Sequence, residues 1–165
     1  MHKLIAAIVL VVAGCAAPAP TEVTTYRKMA APIWSNAQLD AGRMVGSWRQ
    51  TAAFGPQAGG CGAGTAEIGG AAGRLTLDAS LCLGGRQMRL AGPLTAAGPG
   101  RFIAGDQEWW VIWVDTDFRT LAIGTPNGAF GFILNRGGAL PPDRLRAARE
   151  IFDFNGYDVA RLRAF

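Results

Sequence analysis

"WWVIWVDTDFRTLAIGTPNGAFGFILNR", residues 109–136, decides the fold. Three runs rich in aromatic and β-branched residues are cut by "DTDF" (115–118) and "PNG" (126–128), which carry the Asp, Asn, Pro and Gly that tight turns use. Apolar runs this short between turns read as strands. A hairpin at each turn sets Val111 and Trp113 opposite Ala122 and Thr120, which in turn lie opposite Phe132 and Leu134. Trp109, Val111, Trp113, Phe130, Phe132 and Leu134 then share one face, and Trp110, Ile112, Val114, Leu121, Ile123 and Ile133 the other. Both faces are apolar, so both need cover.

Cover for one face follows directly in the chain. "PPDRLRAAREIFDFNG" (141–156) starts on proline, places Leu145, Ala148, Ile151 and Phe152 at helical spacing, and stops at Gly156. The other face is hidden if the sheet closes into a barrel. Upstream, turn signals recur every 8 to 12 residues, which predicts antiparallel strands near 46–54, 62–68, 74–83, 86–95, 101–105, 108–114, 119–125 and 129–136. Strand 74–83 alternates, with Leu75, Leu77, Ala79, Leu81 and Leu83 on one face and Arg74, Thr76, Asp78 and Ser80 on the wet one. The fold class is therefore all-β, an eight-stranded antiparallel up-and-down barrel with one C-terminal helix outside. Eight strands enclose room for packed side chains or for one small ligand.

Cys61 and Cys82 fit the same map. A hairpin turning around "GGAAG" (69–73) sets them opposite each other, which predicts a disulfide; the alternative is a pair of free buried thiols. Two sulfurs alone make a poor zinc site.

The N-terminus reads as an export signal. A short cationic start (His2, Lys3) precedes the apolar run "LIAAIVLVVA" and then Gly14-Cys15, and the run is too short for a lasting membrane span. "VAGC" resembles a bacterial lipobox, which implies cleavage after residue 14 and lipidation of Cys15. A diacylglyceryl group plus an amide-linked acyl chain, palmitate for example, anchors firmly, because each buried methylene contributes about 0.8 kcal/mol. Ala16 after the cysteine resembles lipoproteins sent to the outer membrane. Residues 1–14 are thus expected to be a signal peptide, 15–38 a lipidated Pro/Ala/Ser/Thr-rich tether, and 39–165 the domain, lying in the periplasm.

Removal of the signal takes His2, the sole histidine, and leaves Lys28 as the sole lysine. Histidine base chemistry, histidine-activated nucleophiles and histidine metal ligation go with it. The formal charge of +4 rests on scattered arginines without a basic run, which argues against nucleic acid. "GGCGAGT" (59–65) lacks the Gly-Lys-Ser/Thr of a phosphate loop and reads as the start of a hairpin. Asp115 and Asp117 share one turn and are better placed to cap its amides than to share a proton, while Glu108 reads as a solvated strand end near the mouth. No catalytic group, cofactor site or metal site assembles, so an enzyme is not expected.

The ordered set "GSW" (46–48), "TDF" (116–118) and Arg136 resembles the signatures of the lipocalins, and of the bacterial outer-membrane lipocalins in particular, over about residues 36–162. "LAIGTPNGAFGFILNR" and "NGYDVARL" are similar to the seventh strand through the C-terminal tail of those bacterial members. The resemblance implies structural roles for Gly46, Trp48, Thr116, Asp117 and Arg136, with Gly46 bending the first strand and Arg136 lying over the Trp48 ring at the closed end. Departures are Arg49-Gln50 where Tyr-Glu is usual, and Phe118 in place of a tyrosine. Inward residues at the ligand site would be Phe54, Leu75, Leu77, Met88, Leu90, Trp109, Val111, Trp113, Phe130, Phe132 and Leu134, facing a strand with only Thr120, Ala122 and Gly124. Small residues opposite aromatics would leave a pit for a fatty acid or lysophospholipid, giving storage, transport or scavenging in the envelope. The alternative is a barrel filled by its own aromatics, with a structural or protein-interaction role.

Overall fold

The computed structural model describes residues 24–56, 60–71 and 73–165. The expected signal sequence and Cys15 lie outside the described residues.

Eight strands run up and down in chain order: β1 (Gly46–Phe54), β2 (Thr65–Ala71), β3 (Arg74–Leu83), β4 (Arg86–Gly98), β5 (Arg101–Ala104), β6 (Gln107–Val114), β7 (Thr120–Gly124) and β8 (Gly131–Asn135). Each pairs antiparallel with the next, β8 pairs with β1, and β1 returns to β2 through Gly46↔Ile68 to Arg49↔Thr65, which closes the barrel. The expected eight-stranded barrel is what forms. Beyond Arg49 the strand pairing to β2 ends, and a side chain continues the seam. Gln50, fully buried, donates from Nε2 to the Cys82 carbonyl and accepts from the Cys82 amide, both at 2.8 Å. Beside it Cys61 and Cys82 form the expected disulfide, tying the loop between β1 and β2 to β3. A short ninth strand, β9 (Leu162–Ala164), adds to β1 outside the ring and was not foreseen.

One end of the barrel is plugged. Met44, on a short 3-10 turn capped by Asp40, is fully buried beneath the strand ends, and its carbonyl accepts from Trp48 Nε1 at 2.8 Å. Arg136 lies 4.0 Å over the Trp48 ring and donates to the carbonyls of Arg43 and Val45. Burial and the nearby Arg43 guanidinium lower the Arg136 pKa from its ordinary value. Phe118, where a tyrosine is usual, sits at positive φ in the turn after β6 and is buried under Arg43. Its ring seals the closed end without a hydroxyl.

Helix α1 (Pro142–Phe154) covers the outer face of β6, β7, β8 and β1 through buried Ala148 and Phe152, with Leu145 and Ile151 half-buried beside them. The sheet makes room for it with a glycine pair, Gly124 on β7 opposite Gly131 on β8. A β-carbon at Gly131 would stand 2.9 to 3.1 Å from Phe54, Tyr157 and Phe152. Tyr157 fills that depression: its hydroxyl donates to the Phe130 and Thr125 carbonyls and accepts from the Thr125 amide. Arg144 fastens the helix's first turns to the closed-end turn through Asp115 and Asp117.

Two β-bulges reset which residues face inward. In β6 the pairing runs Val111↔Ile123 and then Trp113↔Ala122, so Ile112 is an extra residue; in β1 it runs Gln50↔Leu134 and then Ala52↔Ile133, with Thr51 extra. An extra residue in a strand of period two exchanges the faces of everything beyond it. Trp113 and Phe54 therefore point outward toward α1, not into the barrel as expected. Across the bulge the β6–β7 pairing differs from the expected one by one position at Val111 and by two at Trp113, so Leu121 and Ile123 of β7 face inward while Ala122 faces out, along with Thr120 and Gly124.

Residues 24–38 are packed where a flexible tether was expected. Tyr26 is buried; its amide donates to Gly128 O and its hydroxyl to Gly84 O, bridging two turns at the open end. Arg27, also buried, donates to the carbonyls of Asn155, Pro126 and Ala31. Three backbone acceptors satisfy a guanidinium that burial would otherwise penalise.

Candidate functional site

The open end is where β1, β3, β5 and β7 finish and β2, β4, β6 and β8 begin, so the interior beneath it is the candidate site. Of the expected ligand residues, Leu75, Leu77, Leu90, Trp109, Val111, Phe130, Phe132 and Leu134 line the interior, and Met88 packs half-buried against them. Leu75 and Leu77 sit toward the plugged end, since Leu77 pairs with Ile68 and Ile68 with Gly46. Phe54, Trp113 and Ala122 do not take part. The expected list omitted Leu81, Leu83, Leu94, Phe102, Ala104, Leu121 and Ile123, all of which face in. Leu81 and Leu83 share the parity of Leu75 in an unbroken alternating strand, so that alternation held the signal for them.

No small strand faces the aromatics. Leu121 and Ile123 stand where Thr120, Ala122 and Gly124 were expected, and Leu81, Trp109, Leu121, Ile123, Phe132 and Leu134 are each 0% exposed. Trp109 meets Phe132 edge to face at 5.1 Å between ring centroids, and the Phe130 ring lies 6.1 Å from that of Phe132. Side chains fill the place where a pit was expected. Toward the open end Leu90 is 8% exposed and Met88 is half-buried.

One polar atom stands out in this lining. Trp109 Nε1 is buried and has no hydrogen-bond partner. An unmet buried donor costs about 1 to 3 kcal/mol. The neighbouring indole contrasts with it: Trp110, on the outer side of β6, donates to Glu108 Oε1 at 2.6 Å and stacks under Arg101 at 3.9 Å. Glu108 is thus half-buried and engaged rather than a free acid at the mouth. At the closed end Asp115 Oδ1 accepts from the Arg119 and Thr120 amides, the capping role its turn position suggests. Among the described residues no cluster of three or more His, Cys, Asp or Glu side chains is placed to hold a metal.

The surface clefts lie outside the barrel. One of about 450 Å³ runs between β1, the loop before α1 and the C-terminus, lined by Arg49, Thr51, Leu140, Leu145 and Phe165. Another of about 370 Å³ holds Trp113, Asp115, Asp117 and Arg144. The charged groups of the second are engaged in the turn and the helix contact.

A closed eight-stranded barrel, a tryptophan-arginine plug and an outer helix are the features of the lipocalin fold, and residues 97–165, the C-terminal part of the chain, match the model of the lipocalin-like domain. No curated protein matches the chain. Among solved structures it is similar to lobster apocrustacyanin A1, with 14% identity over 81% of this chain and 88% of that one at a TM-score of 0.56. Insecticyanin from the tobacco hornworm Manduca sexta is 16% identical over 81% and 84% of the two chains, also with a TM-score of 0.56. The siderocalin Ex-FABP, described as functioning through dual ligand specificities, is 15% identical over 74% and 93% with a TM-score of 0.52. At these identities the likeness is one of fold.

Proposed function

We propose that this domain binds a small hydrophobic or amphipathic ligand, of fatty acid or lysophospholipid class, in the half of the barrel next to its open end, and that a lipid on Cys15 holds it at the bacterial outer membrane. Storage, transport or scavenging in the envelope is the role this gives it, and no catalytic step is part of it. The observation that carries the reading is the unpartnered Trp109 Nε1 inside an otherwise apolar lining. A carbonyl or carboxylate oxygen on an apolar ligand would meet that donor. Burying the ligand's alkyl chain contributes about 25 cal/mol per Å². Phe130, Leu90 and Met88 belong to the same cluster as Trp109 and come from the open-end parts of their strands, so in this reading they turn aside for the ligand. Arg86, exposed at the first residue of β4, stands at the mouth where an anionic head group would emerge.

A second reading is favoured by the packing itself. With six large interior residues at 0% exposure, the barrel is also a complete hydrophobic core that needs no ligand. Extraction of the purified protein followed by mass spectrometry, then titration of the delipidated protein with a fluorescent fatty acid, separates the two. Saturable one-to-one binding that is weakened by Ala104→Trp, at an interior position at the end of β5, supports the binding domain. Absence of both extracted lipid and saturable binding supports the filled barrel.

A further inference from the structure

We infer that the corner of the domain carrying Met29, Trp34 and Phe154 docks on the lipid bilayer and turns the open end of the barrel toward it; this rests on the proposed lipid at Cys15. Among the described residues four large apolar side chains are exposed: Met29 at 56%, Trp34 at 58% and Phe154 at 70% lie at this corner, and Phe165 at 47% lies apart from them beside β1. The three at the corner come from two distant segments brought together around one turn. The Lys28 amide donates to Gly156 O, the Trp34 amide to Asn155 Oδ1, and a β-carbon at Gly156 would touch Ala31. The backbone of residues 27–34 is therefore held rigidly against the end of α1 while its largest side chains face water. Such exposed apolar groups on an ordered frame mark a contact surface.

The chain itself says what the contact is. Thr24 is the first described residue, nine positions from Cys15, and nine residues reach at most roughly 30 Å when fully extended. A lipid at Cys15 thus keeps this corner within roughly a bilayer's thickness of the membrane surface. Tryptophan and phenylalanine suit the interface, and the exposed Lys28 suits its phosphate layer. Asp153 and Asp158 are exposed nearby and offset Lys28, so apolar insertion rather than charge provides the contact. Partitioning is accordingly expected to depend weakly on salt and on anionic lipid content. Arg27 and Tyr26 join this corner to Pro126 and Gly128 in the turn between β7 and β8, at the open end, so docking here presents the mouth to the bilayer. A lipid ligand then crosses a short distance between membrane and barrel.

The test uses the full chain purified from bacterial membranes and reconstituted in phosphatidylethanolamine/phosphatidylglycerol vesicles whose acyl chains are brominated near the head group. Trp34 is exposed, whereas Trp48 and Trp109 are buried and Trp110 and Trp113 half-buried, so docking is read as the part of the quenching that Trp34→Phe removes. The combined Met29→Ser and Phe154→Ser variant is expected to lose at least half of that quenching with an unchanged melting temperature. Mass spectrometry of the same preparation reports the lipid on Cys15 separately. If Cys15 is lipidated and Trp34 is not quenched, the docking proposal is overturned while the anchor stands. If Cys15 is unmodified, the anchor reading fails, and docking is judged by partitioning of the chain alone: a tenfold or greater loss in the Met29→Ser, Trp34→Ser, Phe154→Ser variant supports it, and no partitioning overturns it. A lipid-free dimer abolished by that triple variant also overturns it, because a second copy would then be the occupant.

Discussion

Trp109 and Tyr157 show how the same burial gives opposite demands at single residues. Tyr157 meets three backbone partners through one hydroxyl, and burial pushes its phenol up to about 12. A folded pKa above the ordinary value of about 10 means the neutral form is the stabilised one, so this contribution is complete below pH 10 and lost as pH rises toward 12. Chemical denaturation of the protein is expected to show stability falling across that window, and Tyr157→Phe is expected to flatten the fall. The variant is also expected to cost about 1 to 3 kcal/mol at neutral pH, since the Thr125 amide loses its acceptor. Trp109 has the inverse defect, a donor without a partner. Trp109→Phe is expected to change stability little, because loss of packing is set against removal of the unmet donor, while ligand affinity falls about tenfold in a fatty-acid titration. Equal affinity in the two proteins would remove Trp109 from the site.

Whole elements decide which residues reach the interior. The three-strand unit 107–135, the helix and the disulfide were legible because turn residues, helical spacing and cysteine placement are local signals. β1 and β3 also begin and end where their glycines and alternation put them, at Gly46–Phe54 and Arg74–Leu83. The bulges at Thr51 and Ile112 were not legible. Nothing in "RQTAAF" or "WWVIWV" distinguishes a regular strand from one with an extra residue when both faces are apolar. That is why Phe54, Trp113 and Ala122 were misassigned while Leu75 and Leu77, in a strand with a wet face, were not. The seat for the helix gives an element-level test: Gly131→Ala places a methyl 2.9 to 3.1 Å from three rings and is expected to destabilise by about 1 to 3 kcal/mol in urea unfolding. Cys61→Ser with Cys82→Ser is expected to cost about 2 to 4 kcal/mol, with the loop after β1 loosened most in hydrogen exchange.

At the scale of the molecule, the barrel has one sealed end and one end gripped from outside. Trp48, Arg136, Met44 and Phe118 close the first; Tyr26 and Arg27 clasp the turns of the second, so residues 24–38 belong to the domain rather than to a tether. The Pro/Ala/Ser/Thr composition that suggested a linker is compatible with an irregular strap when two buried side chains pin it. Arg27→Ala removes a donor set serving three carbonyls and is expected to raise amide exchange in residues 24–34 and in the turn between β7 and β8 together. Independent exchange of the two segments would contradict the clasp.

If a ligand oxygen enters the barrel as proposed, it takes up the proton donor of Trp109. The indole N–H resonance of Trp109, identified by its absence in Trp109→Phe, tests this most directly in a titration of the delipidated domain with palmitate. A saturable downfield shift, complete at one equivalent, is the expected result. An indole resonance that stays in place up to the solubility limit of the lipid would contradict the claim and leave a barrel filled by its own side chains.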